Sequence, residues 1–202
     1  AKTILFQQLT KIYTPPRLSQ ILRQGLDQWE ASTKDTGFMM RAPTSGSIHP
    51  IDIVETLATH HEWDFDRVGD DQIAMAIEGA WRTYSLSLAW SAYDETLRII
   101  CTFDMDPPEA RMPALYHAMT LANEESWHGA FTHWQAQKMM VFRYGLNLAG
   151  GASASAQQID DMVGAAVMAC ERFYPAFQLV CWGNEDPEAA MTMAMDEAYG
   201  TA

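Results

Sequence analysis

The stretch WRTYSLSLAWSAYDETLRIICTFDM, residues 81–105, decides the architecture. Tyr84, Leu86, Leu88 and Trp90 alternate with Thr83, Ser85 and Ser87, and Leu97, Ile99, Cys101, Phe103 and Met105 share a face of their own. Successive side chains on a strand point to opposite sides, so this alternation marks half-buried antiparallel strands. Ala92, Tyr93 and Asp94 between the two runs are few enough to close a hairpin. Upstream, QIAMAIEG (residues 72–79) alternates Ile73, Met75 and Ile77 with alanines and turns at Glu78 and Gly79. Three consecutive strands are therefore expected to pair in one antiparallel sheet.

Helices flank this sheet on both sides in the chain. Ile51, Val54, Leu57 and Ala58 form an apolar stripe at helical spacing over about residues 48–62. After the sheet, DPPEARMPALYHAMTLANEESW (106–127) predicts a helix starting near Pro107 and Pro108, since proline is tolerated in a first helical turn. Two further strands, AFTHWQA (130–136) and MMVFRYGLNL (139–148), come next. A long helix from about Ala156, expected to be interrupted near Pro175, and a last helix from Pro187 to Tyr199 close the chain. The order helix, three strands, helix, two strands, two helices is α+β, with helices packed on one antiparallel sheet.

The charge is unevenly divided. Residues 1–46 carry six Lys/Arg against three Asp/Glu, whereas 47–202 carry seven against 23. The sign changes at the turn-rich RAPTSGS, residues 41–47, which predicts a basic extension, 1–46, ahead of a main domain, 47–202. Within the extension Leu18, Ile21, Leu22, Leu26 and Trp29 recur at helical spacing; the segment is expected to be partly helical or poorly ordered, and to be attracted to the acidic domain. A net charge of −13 disfavours nucleic acid and anionic lipid as partners. No window reaches the roughly 18–20 apolar residues of a membrane span. KTILFQQLTKIY, residues 2–13, lacks the apolar core of a signal peptide, and Cys101, Cys170 and Cys181 have no framework spacing. The cytoplasm is the expected compartment.

Several stretches invite a catalytic or ligand reading. In THHEW (59–63), adjacent histidines point about 100° apart on a helix, so a helix cap followed by an extended segment at Trp63 and Phe65 fits better than a metal site. LNLAGGASASAQQID (146–160) offers a possible anion cradle at Gly150, Gly151 and Ser155; it lacks the lysine of a P-loop, and Ser155 with Gln158 reads as a capping box. Asp104 and Asp106 share a strand face where a cation could bind, although solvated strand-end charges explain them as well. Cys170 lies in a helical run and reads as packed rather than nucleophilic. His117, His128 and His133 are scattered. With no triad order or nucleophile elbow, no catalytic residue, metal or cofactor is expected.

The chain from HPIDIVETLATHHEWDFDR through the stretch quoted first, then WHGAFTHWQAQKMMVFRYGLNLAGG, ERFYPAFQLVCWG and EAYG, resembles the YbjN-type family of bacterial sensory transduction regulators over residues 48–202. The resemblance implies a fold similar to type III secretion chaperones, often dimeric, with no catalytic set to transfer. It does not extend to residues 1–46. The function expected is a non-enzymatic cytoplasmic regulator or chaperone-like adapter, a homodimer that binds a protein partner. Thirteen methionines, three of them in DPEAAMTMAMDEAYG (186–200), and seven tryptophans place the candidate contact surface at Met191, Met195, Tyr199 and Trp182. The alternative is a small-ligand sensor or enzyme using the Gly150–Gly151 turn and the helix start after it.

Overall fold

The computed structural model describes residues 48–199, with side chains placed up to Met195. The basic extension, its amphipathic segment and the expected domain boundary lie outside the described residues, as does the side chain of Tyr199. The elements run α1 (Pro50–His60), β1 (Asp64–Gly69), β2 (Gln72–Glu78), β3 (Thr83–Ser91), β4 (Thr96–Asp104), a 3-10 turn (Glu109–Arg111), α2 (Met112–Glu124), β5 (Ala130–Trp134), β6 (Met139–Asn147), α3 (Ala156–Cys181) and α4 (Pro187–Tyr199). The expected α+β order holds. The extended segment anticipated at Trp63 and Phe65 is a full strand, β1, which makes the sheet six-stranded.

The sheet order is β1-β2-β3-β4-β6-β5, and every neighbouring pair is antiparallel. Register follows the alternation read from the sequence: Met75 faces Leu86, Leu86 faces Cys101, and Cys101 faces Phe142. These residues point to one side and bury themselves against Ile51, Val54 and Ala58 of α1 and against α3. Ser85, Ser87 and Thr102 occupy the other parity. The face choice is set by the period of two, since a slip of one residue would turn the whole apolar set toward solvent.

Beneath the sheet, α3 is the central helix, and α1, α2, α4, β4 and β6 all pack on it. It starts with the anticipated capping box: the Ser155 hydroxyl accepts from the Gln158 amide and the Gln158 side chain accepts from the Ser155 amide. Contrary to the sequence expectation, it is not interrupted at Pro175. A proline inside a helix costs about 3 kcal/mol. Phe173, Phe177 and Val180 are fully buried around it, each worth about 1.5–3 kcal/mol, so packing keeps the helix continuous. Pro107 and Pro108 also differ from expectation. Pro108 is itself extended (φ −53°, ψ 142°), so helix geometry waits for the 3-10 turn, and α2 begins at Met112 with Pro113 in its first turn. Arg111 then closes the far end of α3 by donating to the carbonyl of Val180, one of those a helix C-terminus leaves without internal partners, and it ties down the connection to α4 by donating to the Glu185 carbonyl.

Candidate functional site: an indole-walled groove on α3

The residues singled out in the sequence go mostly to structural work. His49 caps α1: its Nδ1 accepts from the Ile51 amide, so Nε2–H faces the Asp71 carboxylate at 3.1 Å. His61 stacks on Trp63 and bonds Asp160 of α3 at 3.0 Å. His133 bonds the Met105 carbonyl at 2.8 Å. Asp104 faces Arg82 and Asp106 pairs with Lys138. Among the described residues, no three His, Cys, Asp or Glu side chains are grouped to hold a metal ion. Cys170 is fully buried, with its sulfur 3.5 Å from that of Cys101. Burial first, and the neighbouring Cys101 next, push its thiol well above the ordinary value, the opposite of what a nucleophile requires.

At the Gly150–Gly151 turn both residues have the positive φ that glycine tolerates, +80° and +83°. The Gly150 amide already donates to the Glu95 carboxylate at 3.1 Å, and the Ser155 amide to Gln158. The methionines of α4 divide. Met191, 8% exposed, lies in the core with Ala190 and Ala194. Met195 is half-buried, and its sulfur accepts from the Arg172 guanidinium. Trp182, at the end of α3, is 50% exposed.

Another set of side chains converges on open space. Trp81, Trp127 and Met168 are 54%, 93% and 71% exposed, and all three line one groove of about 640 Å³. Its floor is α3, where Ala165, Met168, Ala169 and Arg172 recur at the i, i+3, i+4, i+7 spacing that puts side chains on one helix face. Below that floor Phe142 and Phe173 belong to an edge-to-face aromatic cluster centred on Phe131. A second hollow of about 560 Å³, along the outside of α1, is lined by Asp52, Glu55, Thr56, Thr59 and His60. Its two carboxylates are held by Arg67.

Each wall of the groove is a turn tied down by its neighbours. In the β2–β3 hairpin, the Gly79 amide bonds the Arg82 carbonyl at 2.9 Å. The carboxylate of Glu171, on α3, accepts from the amides of Ala80 at 2.8 Å and Trp81 at 3.4 Å. A Cβ on Gly79 would stand 2.1 Å from that carboxylate and 2.7 Å from the Tyr84 ring, so only glycine lets the hairpin close on α3. Tyr84 is buried here; burial, then the carboxylate of Glu171, push its phenol far up from the ordinary value. The opposite wall is the α2–β5 connection. The Asn123 side chain clasps Phe131 by both its carbonyl and its amide, and the Ser126 hydroxyl donates to the Ala122 carbonyl. Gly129 lies against β6, where a Cβ would come within 2.5 Å of Phe142 and 2.6 Å of the Arg143 carbonyl. With both ends pinned, Trp127 at the apex projects into solvent.

Sequence reading passed over these three residues. In the sequence Trp81 opens a strand run and Trp127 ends a helix run, although an indole at a turn is itself a signal, and Trp127 lies between the polar Ser126 and His128. Met168 had a geometric one. The buried stripe of α3 passes through Met162, Val163, Ala166, Cys170 and Phe173, and at about 100° per residue Met168 falls opposite Ala166 and Cys170.

A one-sided six-stranded antiparallel sheet over a long central helix, with an open groove on the outer face of that helix, defines a small α+β domain. The family model YbjN, described as "Putative bacterial sensory transduction regulator", matches residues 50–179. The chain belongs to the YbjN family. Two solved structures are similar to it at 9% identity. One is the crystal structure of YbjN from E. coli, described as "a putative transcription regulator", with a TM-score of 0.46 over 77% of this chain and 97% of that one. The other is the HopA1–SchA chaperone–effector complex, with a TM-score of 0.43 over 58% of this chain and 87% of that one. No curated protein matches the chain. No helix among the described residues is long and apolar enough to cross a membrane.

Proposed function

We propose that the protein is a non-enzymatic regulator or chaperone-like adapter of the cytoplasm that binds a segment of a partner protein in the groove bounded by Trp81, Trp127 and Met168. One observation carries this reading: three large apolar side chains, each more than half exposed, meet on one concave surface whose walls are fixed by named ties. Single exposed apolar residues are ordinary on a protein surface, whereas a contiguous set marks an interaction site. Tryptophan is also the residue most enriched among interface positions that dominate binding energy. Homodimerisation is part of the same proposal, and sedimentation equilibrium tests it by returning a mass near 22.7 kDa or near twice that.

The experiment for the adapter reading is affinity capture by the wild-type chain beside Trp127→Ala/Met168→Asp. Both changed residues are so exposed that the fold should keep its melting temperature. A protein recovered in stoichiometric amount by the wild type and lost with the double variant supports the groove. Equal recovery by both moves the contact elsewhere on the surface, and recovery of nothing by either defeats the adapter reading.

A further inference from the structure

Resting on the adapter reading, we propose that the segment taken up by the groove is a positively charged amphipathic helix. Three features of the molecule point to that class of partner. The first is that neither edge strand, β1 or β5, contributes a residue to the lining of the groove. Phe142 lies in β6, which is paired on both sides by β4 and β5, and the hairpin wall joins β2 and β3, which are each paired on both sides. A segment buried there cannot add itself as a strand, so its own amides and carbonyls must be satisfied within it. A helix does this without help.

The second feature is the floor. Gly164 and Ala165 sit beside Met168 and Ala169 on α3, and a Cβ built on Gly164 would meet nothing within 4 Å. Small side chains let a second helix axis come close to the first, toward the lower end of the usual 8–10 Å separation. The indoles of Trp81 and Trp127 line the same groove, and the thioether of Met168 adapts to the side chain placed against it.

The third feature is charge. Residues 47–202 hold 23 Asp/Glu and seven Lys/Arg. Six of those seven cations are engaged within the domain: Arg67, Arg82, Arg98 and Lys138 by carboxylates, Arg111 by carbonyls, and Arg172 by the Met195 sulfur. At the groove, Glu125 lines the rim, Glu124 is exposed beside it, and Asp161 is exposed on the same α3 face as Ala165, Met168 and Arg172. With Glu171, these carboxylates outnumber Arg172, the cation on the floor whose charge the Met195 thioether does not neutralise, so the surroundings of the groove are net acidic, which favours a cationic segment over a second copy of this acidic chain as its occupant.

The test titrates the full chain with three labelled synthetic peptides. One places leucines at i, i+3, i+4 and i+7 with lysines elsewhere; one replaces those lysines with glutamate; one is proline-rich with the same number of lysines. The lysine helix should bind at least tenfold tighter than either of the others, gain helical circular dichroism on binding, and lose at least tenfold in affinity with Trp127→Ala/Met168→Asp. Ile48→Ala, at an exposed apolar residue outside the groove, should leave its affinity unchanged. Tighter binding of the glutamate helix overturns the charge assignment, and tighter binding of the proline-rich peptide overturns the helix. Lysine-helix affinity indifferent to the double variant reduces the effect to general attraction by an acidic protein and also overturns the proposal. If the partner captured through Trp127 and Met168 is not displaced by the lysine helix, the proposal fails while the adapter reading stands.

Discussion

Two regions carry the domain's conspicuous methionines, and they use them in opposite ways. On α4, Met191 is a core residue and Met195 receives the Arg172 guanidinium. On the middle of α3, one methionine, Met168, faces out into the groove that Trp81 and Trp127 also line. Richness in a residue type thus does not mark a surface; the side of the helix on which the residue falls does. Met191 shares its helix face with Ala190 and Ala194, which are buried against α2 and α3. Met168 falls opposite the buried stripe of its own helix, where its side chain stays exposed.

The strongest way to break this contrast is to make the same substitution in both places. Met191→Asp puts an unpaired carboxylate into an apolar core and should cost about 4 kcal/mol or more, enough to remove the cooperative thermal transition. Met168→Asp, at the exposed site, should stay within about 0.5 kcal/mol of wild type while weakening the groove. Equal melting temperatures for the two variants would erase the distinction. Met191, named with Met195 in the contact surface expected from sequence, is thus a position where a charge would test the fold and not partner capture.

The next effect separates the groove's walls from its floor. Gly129→Ala drives a methyl into the Phe142 ring and the Arg143 carbonyl. Overpacking of this kind costs about 1–3 kcal/mol, and the loop must lift to relieve it. A fall of several degrees in melting temperature with altered Trp127 fluorescence is expected. An unchanged melting temperature would mean that the loop is not pinned as described.

A smaller effect comes from buried acids that the groove does not use. Burial pushes the Cys181 thiol up to about 11 from an ordinary value of 9.0. The unfolded chain therefore releases this proton before the folded one does, so stability is intact below pH 9.0 and falls as pH rises toward 11. Linkage gives a loss of about 1 kcal/mol by pH 10, to which Tyr84 adds in the same direction. Thermal melts of wild type and Cys181→Ala at pH 7 and pH 10 should converge at the higher pH. A gap independent of pH would show that this thiol is not the titrating group.

How much of this could be read from the chain follows from which interactions are local. Strand faces, the capping box and the α3 stripe were legible because period and spacing are properties of neighbouring residues. β1 was only half legible: in DFDRVG the polar residues dominate, and its pairing is fixed by partners such as Met75 opposite Phe65. The continuity of α3 through Pro175 was illegible, since it depends on aromatic packing from β5 and β6. The groove was illegible for the same reason. Residues 81, 127 and 168 are far apart in the chain, and only the closing of Gly79 on Glu171 and Gly129 on Phe142 brings their surroundings together.

The smallest effect tests whether one wall is held by one side chain. Glu171 accepts from the Ala80 and Trp81 amides at once. In Glu171→Gln one oxygen remains for one amide, while the new NH₂ faces the other donor, so a charge-assisted bond is lost with little change in volume. The loss in stability should be about 1 kcal/mol, confined to the hairpin. Hydrogen exchange at Ala80 and Trp81 should then speed up about fivefold, with no change at Phe131, whose amide is held by Asn123. Peptide affinity should fall in step with the loosened Trp81 wall. Faster exchange at both walls would indicate that Glu171 acts on the whole fold; unchanged exchange at Ala80 and Trp81 would show that the hairpin is held by Gly79 packing alone, with the carboxylate a bystander.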